Sequence, residues 1–123
     1  MLQRRAKNSR KGDDAIRLPA HLKYVRGFRC AVDNGMCAGR IEAAHVEGSG
    51  TGGMGKKADD VFTIPLCSHH HAERHRIGWR TFDRVHNLDA LDIAKDIARR
   101  SPAVQRAAMA AGYNAGGDIE PNP

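Results

Sequence analysis

At 123 residues, the chain has room for one small domain with a modest core. Its formal net charge of +6 favours an acidic partner such as nucleic acid over a membrane, because no apolar run approaches the roughly 20 residues of a spanning helix. The chain also shows no signal peptide, so we expect a cytoplasmic protein whose three cysteines bind metal and do not form disulfides.

The first predicted segment is a basic tail over residues 1–17. Six basic side chains against two acidic ones give it a net charge of +4. Because it has no periodic apolar face, we expect a solvated, disordered arm. The arm could also bind DNA phosphates, since such arms often become ordered on DNA. The basic residues are Arg4, Arg5, Lys7, Arg10, Lys11 and Arg17.

A short helix and a hairpin are predicted next. Residues 19–27 have apolar side chains near one face and end in Gly27, which indicates a helix. Residues 28–46 are expected to form two short strands around a turn at Asp33, Asn34 and Gly35. The second of these strands covers residues 40–46.

A glycine-rich loop follows over residues 47–57, with five glycines and no apolar period. Residues 50–57 match the GxxxxGK pattern of a nucleotide-binding P-loop. However, Lys57 stands where Ser or Thr should ligate magnesium, and Pro65 interrupts the helix that should follow. We therefore favour a flexible loop whose Lys56 and Lys57 contact DNA phosphates.

The second half of the chain is predicted to be mainly helical. Residues 59–66 lead into a helix from about Cys67 to Ile77, which Gly78 ends. A further helix is expected over residues 89–100, with Asn87 or Asp89 as its N-cap. Residues 103–111 indicate a short Ala-rich helix, and the last ten residues are expected to be disordered.

The cysteines indicate a structural zinc site. Cys67 and His70 are three residues apart, as in the pair that a zinc knuckle contributes from the first turn of a helix. Cys30 and Cys37 would supply the other two ligands, which makes a closed Cys3His site with no open position. The alternative interpretation is that the cysteines are small buried apolar residues.

His71 and His75 are four residues apart, so on a helix they project from the same face. Two imidazoles in this relation can hold one divalent metal ion, as in HExxH helices. A metalloprotease is excluded because Ala72 stands where the catalytic Glu should follow the first histidine. Beside a zinc knuckle, we interpret the pair as metal ligands.

The ordered set of motifs resembles the HNH, or ββα-metal (His-Me finger), endonucleases. The set contains Cys30, Cys37, Ala44-His45, Asp60 and the segment PLCSHHHAERH. Within that superfamily, the blocks GGMGKKADD and IPLCSHHH, with Gly78 and Phe82 after them, are similar to the small phage and prophage nucleases of the recombination enhancement (Ref) type. The resemblance covers roughly residues 28–100.

The resemblance implies an α+β fold in which a zinc-stapled ββα-metal core carries flanking helices. It implies that His45, on a strand opposite the His71/His75 helix, is the general base. His71 and His75 would hold a catalytic divalent cation, magnesium or manganese. The sequence departs from the family at Ala44, where an Asp or His ligand is common.

The family's middle Asn is also not obvious in this chain. Asp60 is the best occupant of that region and the candidate third metal ligand. Asp59, Glu42 and Glu73 are lesser candidates.

These expectations divide the chain into a basic tail (1–17), a nuclease domain (18–101), and a short helix with a disordered tail (102–123). The expected function is hydrolysis of DNA phosphodiester bonds in phage recombination or DNA processing in a bacterial host, and a recombinase is a candidate partner. The sequence indicates no oligomeric state. The alternatives are a non-catalytic zinc-stabilised DNA-binding module and a structural or interaction protein. The predicted DNA contacts are Lys56, Lys57, Arg74 and Arg76.

Overall fold

The computed structural model describes residues 16–46 and 59–111. This part of the chain is a small α+β fold with five helices and a two-stranded sheet, which confirms the predicted class. The predicted loop over residues 47–57 and the last ten residues lie outside it. In chain order the elements are α1 (Pro19–Val25), β1 (Ile41–His45), β2 (Thr63–Cys67), α2 (Ser68–Ile77), α3 (Trp79–His86), α4 (Ala90–Arg100) and α5 (Pro102–Ala110).

The sheet pairs β1 with β2 in antiparallel register, from Ile41 opposite Cys67 to His45 opposite Thr63. The prediction that residues 28–46 contain both strands is wrong in its first strand, because residues 28–40 form turns and bends. These turns include left-handed backbone at Asp33 and Gly39. The chain folds back here so that Cys30 and Cys37 can both approach His70 of α2, which a straight strand would not allow.

β2 was not predicted from the sequence because its residues do not alternate between apolar and polar. All five of its residues are buried, and a fully buried strand is an uninterrupted apolar run that resembles the start of a helix. Ala31 donates a backbone hydrogen bond of 2.8 Å to the Pro65 carbonyl, which ties the turn region to this strand. β2 therefore lies between β1 and the chain around Cys30.

The boundaries of α2 and α4 agree with the prediction. α2 ends where Gly78 takes a φ of 85°, a conformation that favours glycine. Asp89 is the N-cap of α4, accepting a 3.0 Å hydrogen bond from the Asp92 amide. Asn87, the other candidate, instead ends α3 in left-handed backbone with a φ of 56°.

α3 was not predicted, although its apolar residues have helical spacing, because it is only two turns long. Its inner side carries Phe82, which is fully buried, and Trp79, which packs edge-on against Phe82 at 5.7 Å between ring centroids. Tertiary packing of these two aromatic side chains therefore stabilises α3, since an isolated helix of two turns is not stable in water. The core around them also includes Ile64, Leu66 and Ala44.

α2 runs alongside β1 in the same direction. Glu42, near the start of β1, contacts His71 near the start of α2. At the other end, the indole N–H of Trp79, just past α2, donates a 3.1 Å hydrogen bond to the carbonyl of His45. His75 follows His71 by one helical turn and therefore lies towards the His45 end of the strand.

The folded domain begins earlier than the predicted boundary at residue 18. The amide of Ile16 donates to the Asp59 carboxylate at 2.8 Å, and the Ile16 carbonyl accepts from the Asp60 amide at 2.9 Å. Arg17 pairs with Asp60 at 3.0 Å. Ile16 and Arg17 thus belong to the domain and not to the tail. α5, beyond the predicted end at residue 101, also packs against α1 and α4.

None of the helices in residues 16–46 and 59–111 is both long and apolar enough to cross a lipid bilayer.

Candidate metal centre and catalytic site

Three cysteines and one histidine converge at the junction of β2 and α2. Nδ1 of His70 lies 3.1 Å from Sγ of Cys67 and 3.6 Å from Sγ of both Cys30 and Cys37. The four ligand atoms lie within 4.8 Å of one another. Tetrahedral zinc, with Zn–S of about 2.3 Å and Zn–N of about 2.0–2.1 Å, sets S···N separations of roughly 3.5 Å. The group is therefore able to hold a metal ion of this size.

The loop before β1 brings Cys37 to this group by capping α2. The carbonyls of Ala38 and Arg40 accept hydrogen bonds from the amides of His69 and Ser68, at 3.1 and 2.9 Å. These amides would otherwise lack partners in the first turn of the helix. The close approach requires Gly39, because a Cβ there would lie 2.6 Å from Cβ of Ser68.

The charges of the cluster suit a cation. Burial lowers the pKa of His70, which keeps its imidazole in the neutral form that binds metal. Burial acts to raise the pKa of Cys67, but hydrogen bonds from His70 and Ala38 amides and from the other thiols outweigh it and lower the value. Burial and the neighbouring thiols raise the pKa of Cys37 to about 11. Three thiols this close cannot all ionise without a compensating positive charge.

A carboxylate and a second histidine lie beside His70. Glu73 and His86 form a group with His70 whose ligand atoms also lie within 4.8 Å of one another. Nε2 of His86 donates to Glu73 at 2.7 Å, a hydrogen bond that lowers the pKa of the Glu73 carboxyl. This pair joins α2 to α3 next to a metal-ligand candidate.

His71 is oriented by a carboxylate from β1. Its Nδ1 donates a 2.7 Å hydrogen bond to Oε1 of Glu42, while the other oxygen of Glu42 accepts from Ser68 at 3.0 Å. These hydrogen bonds, that from His71 first, lower the pKa of Glu42. The arrangement fixes the His71 tautomer with Nε2 as the acceptor nitrogen, as in histidines that ligate metals. The rings of His71 and His75 lie 4.8 Å apart between centroids.

His45 pairs with a buried carboxylate at the end of β1. Its Nε2 lies 2.7 Å from Oδ1 of Asp60, and the side chain of Asp60 is 5% exposed against 35% for His45. Asp60 also accepts hydrogen bonds from Arg17 at 3.0 Å and from the Leu18 amide at 2.8 Å. Burial acts to raise the pKa of Asp60, but these hydrogen bonds outweigh it and lower the value. Asp60 is therefore ionised near neutral pH, and His45 is the donor.

The two histidine–carboxylate pairs use different residues of β1. Glu42 contacts His71 of α2, whereas His45 contacts Asp60, which also accepts a hydrogen bond from the Leu18 amide just before α1. Ala44, directly before His45, is fully buried. The position at which the family often has a metal ligand is thus occupied here by a core residue.

Asp60 is not brought together with the helix histidines. Within the described ranges, the groups of three or more metal-ligand side chains are the cysteine cluster and the group around His70. Neither group contains Asp60, His71 or His75. The structure thus gives Asp60 a contact with His45, whereas the sequence analysis made it a metal ligand.

The predicted DNA contacts differ in their placement. Arg76 is exposed, while Lys56 and Lys57 lie outside the described residues. Arg74 is only 7% exposed, and its guanidinium lies 4.7 Å from the centroid of the Trp79 ring. Arg74 therefore packs against Trp79 and is not the exposed side chain in contact with DNA that the sequence predicted.

Two residues of this region were missed or given a different role. Trp79 was not singled out, although it is the chain's one tryptophan and its indole N–H meets the His45 carbonyl. Glu42 was considered only as a lesser metal ligand, and it instead orients His71. The position of Glu42, three residues before His45 on the strand, suggests a role at the site. Its partner His71 lies 29 positions away in the chain and cannot be inferred from spacing.

Comparison with known proteins gives a family without an assigned function. The chain is similar to the uncharacterized protein YdfU of Escherichia coli (strain K12), with 58% identity over 57 residues. The aligned stretch covers 45% of this chain and 15% of YdfU, so the chain spans only a small part of that relative. No solved structure matches. The family described as "Protein of unknown function (DUF968)" matches residues 9–99, and the chain belongs to that family.

Proposed function

We propose that the chain is a zinc-stabilised, cation-dependent DNA endonuclease in which His45 is the general base. The observation that carries the proposal is the pairing of a partly exposed His45 with the buried, ionised carboxylate of Asp60. A histidine held by a buried carboxylate is the arrangement that orients a catalytic base. The resemblance to HNH nucleases independently assigns this role to His45.

The role of His45 follows from its hydrogen bond. Nε2–H donates to Asp60, so Nδ1 is the nitrogen that accepts a proton from water. The water oxygen forms a bond to phosphorus, and the bond from phosphorus to the 3′ oxygen breaks. The 3′ oxygen takes up a proton from solvent water, and the imidazolium of His45 returns its proton to solvent. The products carry a 5′-phosphate and a 3′-hydroxyl.

His71 and His75 are proposed to hold the divalent cation, magnesium or manganese. Glu42 supports this assignment, because it leaves Nε2 of His71 as the coordinating nitrogen. When bound, the cation offsets the negative charge that develops on the phosphate and the leaving oxygen. Two protein ligands bind such an ion weakly, so the substrate phosphate and water must complete its shell. We therefore expect activity that depends on added cation.

The cysteine cluster is proposed to hold zinc in a structural role. All four of its positions are filled by protein side chains, which leaves no place for a substrate. The ligands come from three separated stretches of the chain, at residues 30, 37 and 67–70. Zinc binding should therefore stabilise a domain whose core is small.

DNA is the proposed substrate because of the chain's net charge of +6 and the resemblance. Phage recombination or DNA processing is the setting that the resemblance implies, with a recombinase as candidate partner. We propose no base readout, since the exposed basic side chains are suited to phosphate contacts.

The proposal is tested by nicking of supercoiled plasmid. The protein should carry about one zinc per chain and should convert supercoiled plasmid to open circles after addition of magnesium or manganese. End analysis should give 5′-phosphates. Zinc-loaded protein that binds plasmid but leaves it intact with magnesium, manganese, nickel and added zinc, on duplex, single-stranded and branched DNA, would overturn the nuclease proposal.

One observation favours a second candidate, a non-catalytic zinc-stabilised DNA-binding module. Among the residues that the structure describes, no group of three metal ligands includes His71 or His75. Such a module needs the cysteine cluster but not His45. Binding without cleavage in the plasmid assay is the result that selects it.

A further inference from the structure

The outer side of α3 carries two arginines that the nuclease proposal does not use. Arg80 and Arg84 are exposed and four residues apart, so they project from the same side of the helix. The opposite side is fixed by Phe82, which is fully buried, and by His86, whose ring lies 4.6 Å from that of Phe82. The core thus sets the orientation of α3 and directs both guanidiniums towards solvent.

These arginines differ from the other exposed arginine pair on a neighbouring helix. Arg99 and Arg100 of α4 form ion pairs with Asp96 at 3.2 and 2.9 Å, and Arg100 also lies 5.6 Å from the Phe28 ring centroid. Within residues 16–46 and 59–111, neither Arg80 nor Arg84 has an acidic side chain in ion-pair distance. Their charges are therefore available to an external anion.

The position of α3 places this charge beside the proposed catalytic residues. Arg80 follows Trp79, whose indole N–H bonds to the His45 carbonyl. Arg76, also exposed, follows His75 directly. Over the four residues from Arg80 to Arg84 the helix rises about 6 Å. The basic side chains thus begin at the His45 end of β1 and continue along α3.

We propose that Arg76, Arg80 and Arg84 form a phosphate-binding surface that holds duplex DNA on one side of the scissile bond. This inference rests on the proposed function and names the surface that engages its substrate. Guanidinium groups bind phosphate oxygens in a bidentate geometry and stay charged at all relevant pH values. Contacts of this kind fix the register of the duplex without reading its bases.

The test compares two double variants in the His45→Ala background, which prevents cleavage during binding. Arg80→Ala/Arg84→Ala removes the proposed contacts, and Arg99→Ala/Arg100→Ala removes equal charge from α4. The dissociation constant of a labelled 20-base-pair duplex is measured at several salt concentrations without added cation. Each lost phosphate contact should reduce the slope of log K against log salt by about 0.9. The slope for Arg80→Ala/Arg84→Ala should therefore be smaller by about 1.8, and the slope for Arg99→Ala/Arg100→Ala should stay near that of the parent.

The Arg80→Lys/Arg84→Lys variant separates charge from geometry. It should keep most of the salt dependence but bind more weakly than the parent, because lysine provides a point charge without the bidentate fork. Thermal unfolding of every variant confirms that the fold is kept.

The outcomes distinguish this surface from the nuclease proposal. If the salt slope decreases only in the Arg80→Ala/Arg84→Ala variant, the phosphate-binding surface is supported even if the wild-type chain cleaves no DNA. Equal slopes in both alanine variants, or no binding of the duplex by the parent, would overturn it. A preference for duplex RNA that depends on Arg80 and Arg84 would assign the surface to RNA and would also contradict the proposal.

Discussion

Asp60, one of the most deeply buried carboxylates of the domain, lies 2.7 Å from Nε2 of His45 and accepts a hydrogen bond from it. Arg17 and the Leu18 amide bind the same carboxylate, so three hydrogen bonds hold it in place. His45 is thereby fixed in one tautomer. The start of α1 and the end of β1 meet in this contact, which makes the segment after the N-terminal tail part of the proposed site.

Asp60→Asn should lower the rate constant of DNA cleavage by about 10²- to 10⁴-fold, because the amide no longer stabilises the imidazolium that forms on His45. DNA affinity should change little. Single-turnover cleavage with saturating protein measures the rate directly. Asp59→Asn is the matched control, since Asp59 is equally buried but binds the Ile16 amide. Equal losses in the two variants would show that Asp60 acts only through the fold.

The same carboxylate should contribute to stability in a defined pH range. The pKa of Asp60 is lowered in the folded state. Its contribution to the free energy of unfolding is therefore complete above the ordinary carboxyl pKa and is lost as the pH decreases through the pKa of the folded state. Asp60→Asn should lower the free energy of unfolding by about 1–3 kcal/mol near neutral pH and less below pH ~4. Denaturant unfolding from pH 2 to 7 checks this. Asp96→Asn, at an exposed ion pair, should show almost no effect.

Glu42→Gln should raise the cation concentration needed for half-maximal cleavage by about 10- to 100-fold, because His71 loses the carboxylate that orients it. The maximal rate at saturating cation should be closer to that of the wild type. A titration of cleavage rate with magnesium or manganese separates the two quantities. An unchanged cation requirement would remove His71 from the proposed cation site.

Gly39→Ala should weaken the metal cluster through the backbone. Its φ of 85° disfavours a side chain, and the added Cβ would lie 2.6 Å from Ser68. We expect a loss of about 1–3 kcal/mol in stability and faster release of zinc to a chelator. Gly35→Ala is the control, because nothing lies within 4 Å of a Cβ there. Similar zinc release from both variants would mean that the loop does not position Cys37.

Features with a local signal could be predicted from the sequence. Cys67 and His70 are three residues apart at the start of α2, so their spacing already indicated that they bind the same metal ion. α2 and α4 were predicted because glycine and aspartate mark their ends and the apolar period of α4 is regular.

Features whose partners are distant in the chain could not be predicted from the sequence. β1 pairs with β2 across the intervening segment, and β2 is fully buried, so neither spacing nor alternation indicated the pairing. The contact between Asp60 and His45 could not be predicted for the same reason. The partners of Asp60 at positions 17, 18 and 45 come together only in the fold.

The most direct test of the central claim is the single-turnover rate constant of wild-type protein and His45→Ala on an end-labelled duplex, with zinc content and DNA binding matched. If His45 is the general base, the wild type should cleave with added magnesium or manganese. His45→Ala should then be slower by about 10²-fold or more at unchanged zinc content and DNA affinity. Equal rates in the two proteins would contradict the role of His45, and no cleavage by the wild type would leave the DNA-binding module as the function.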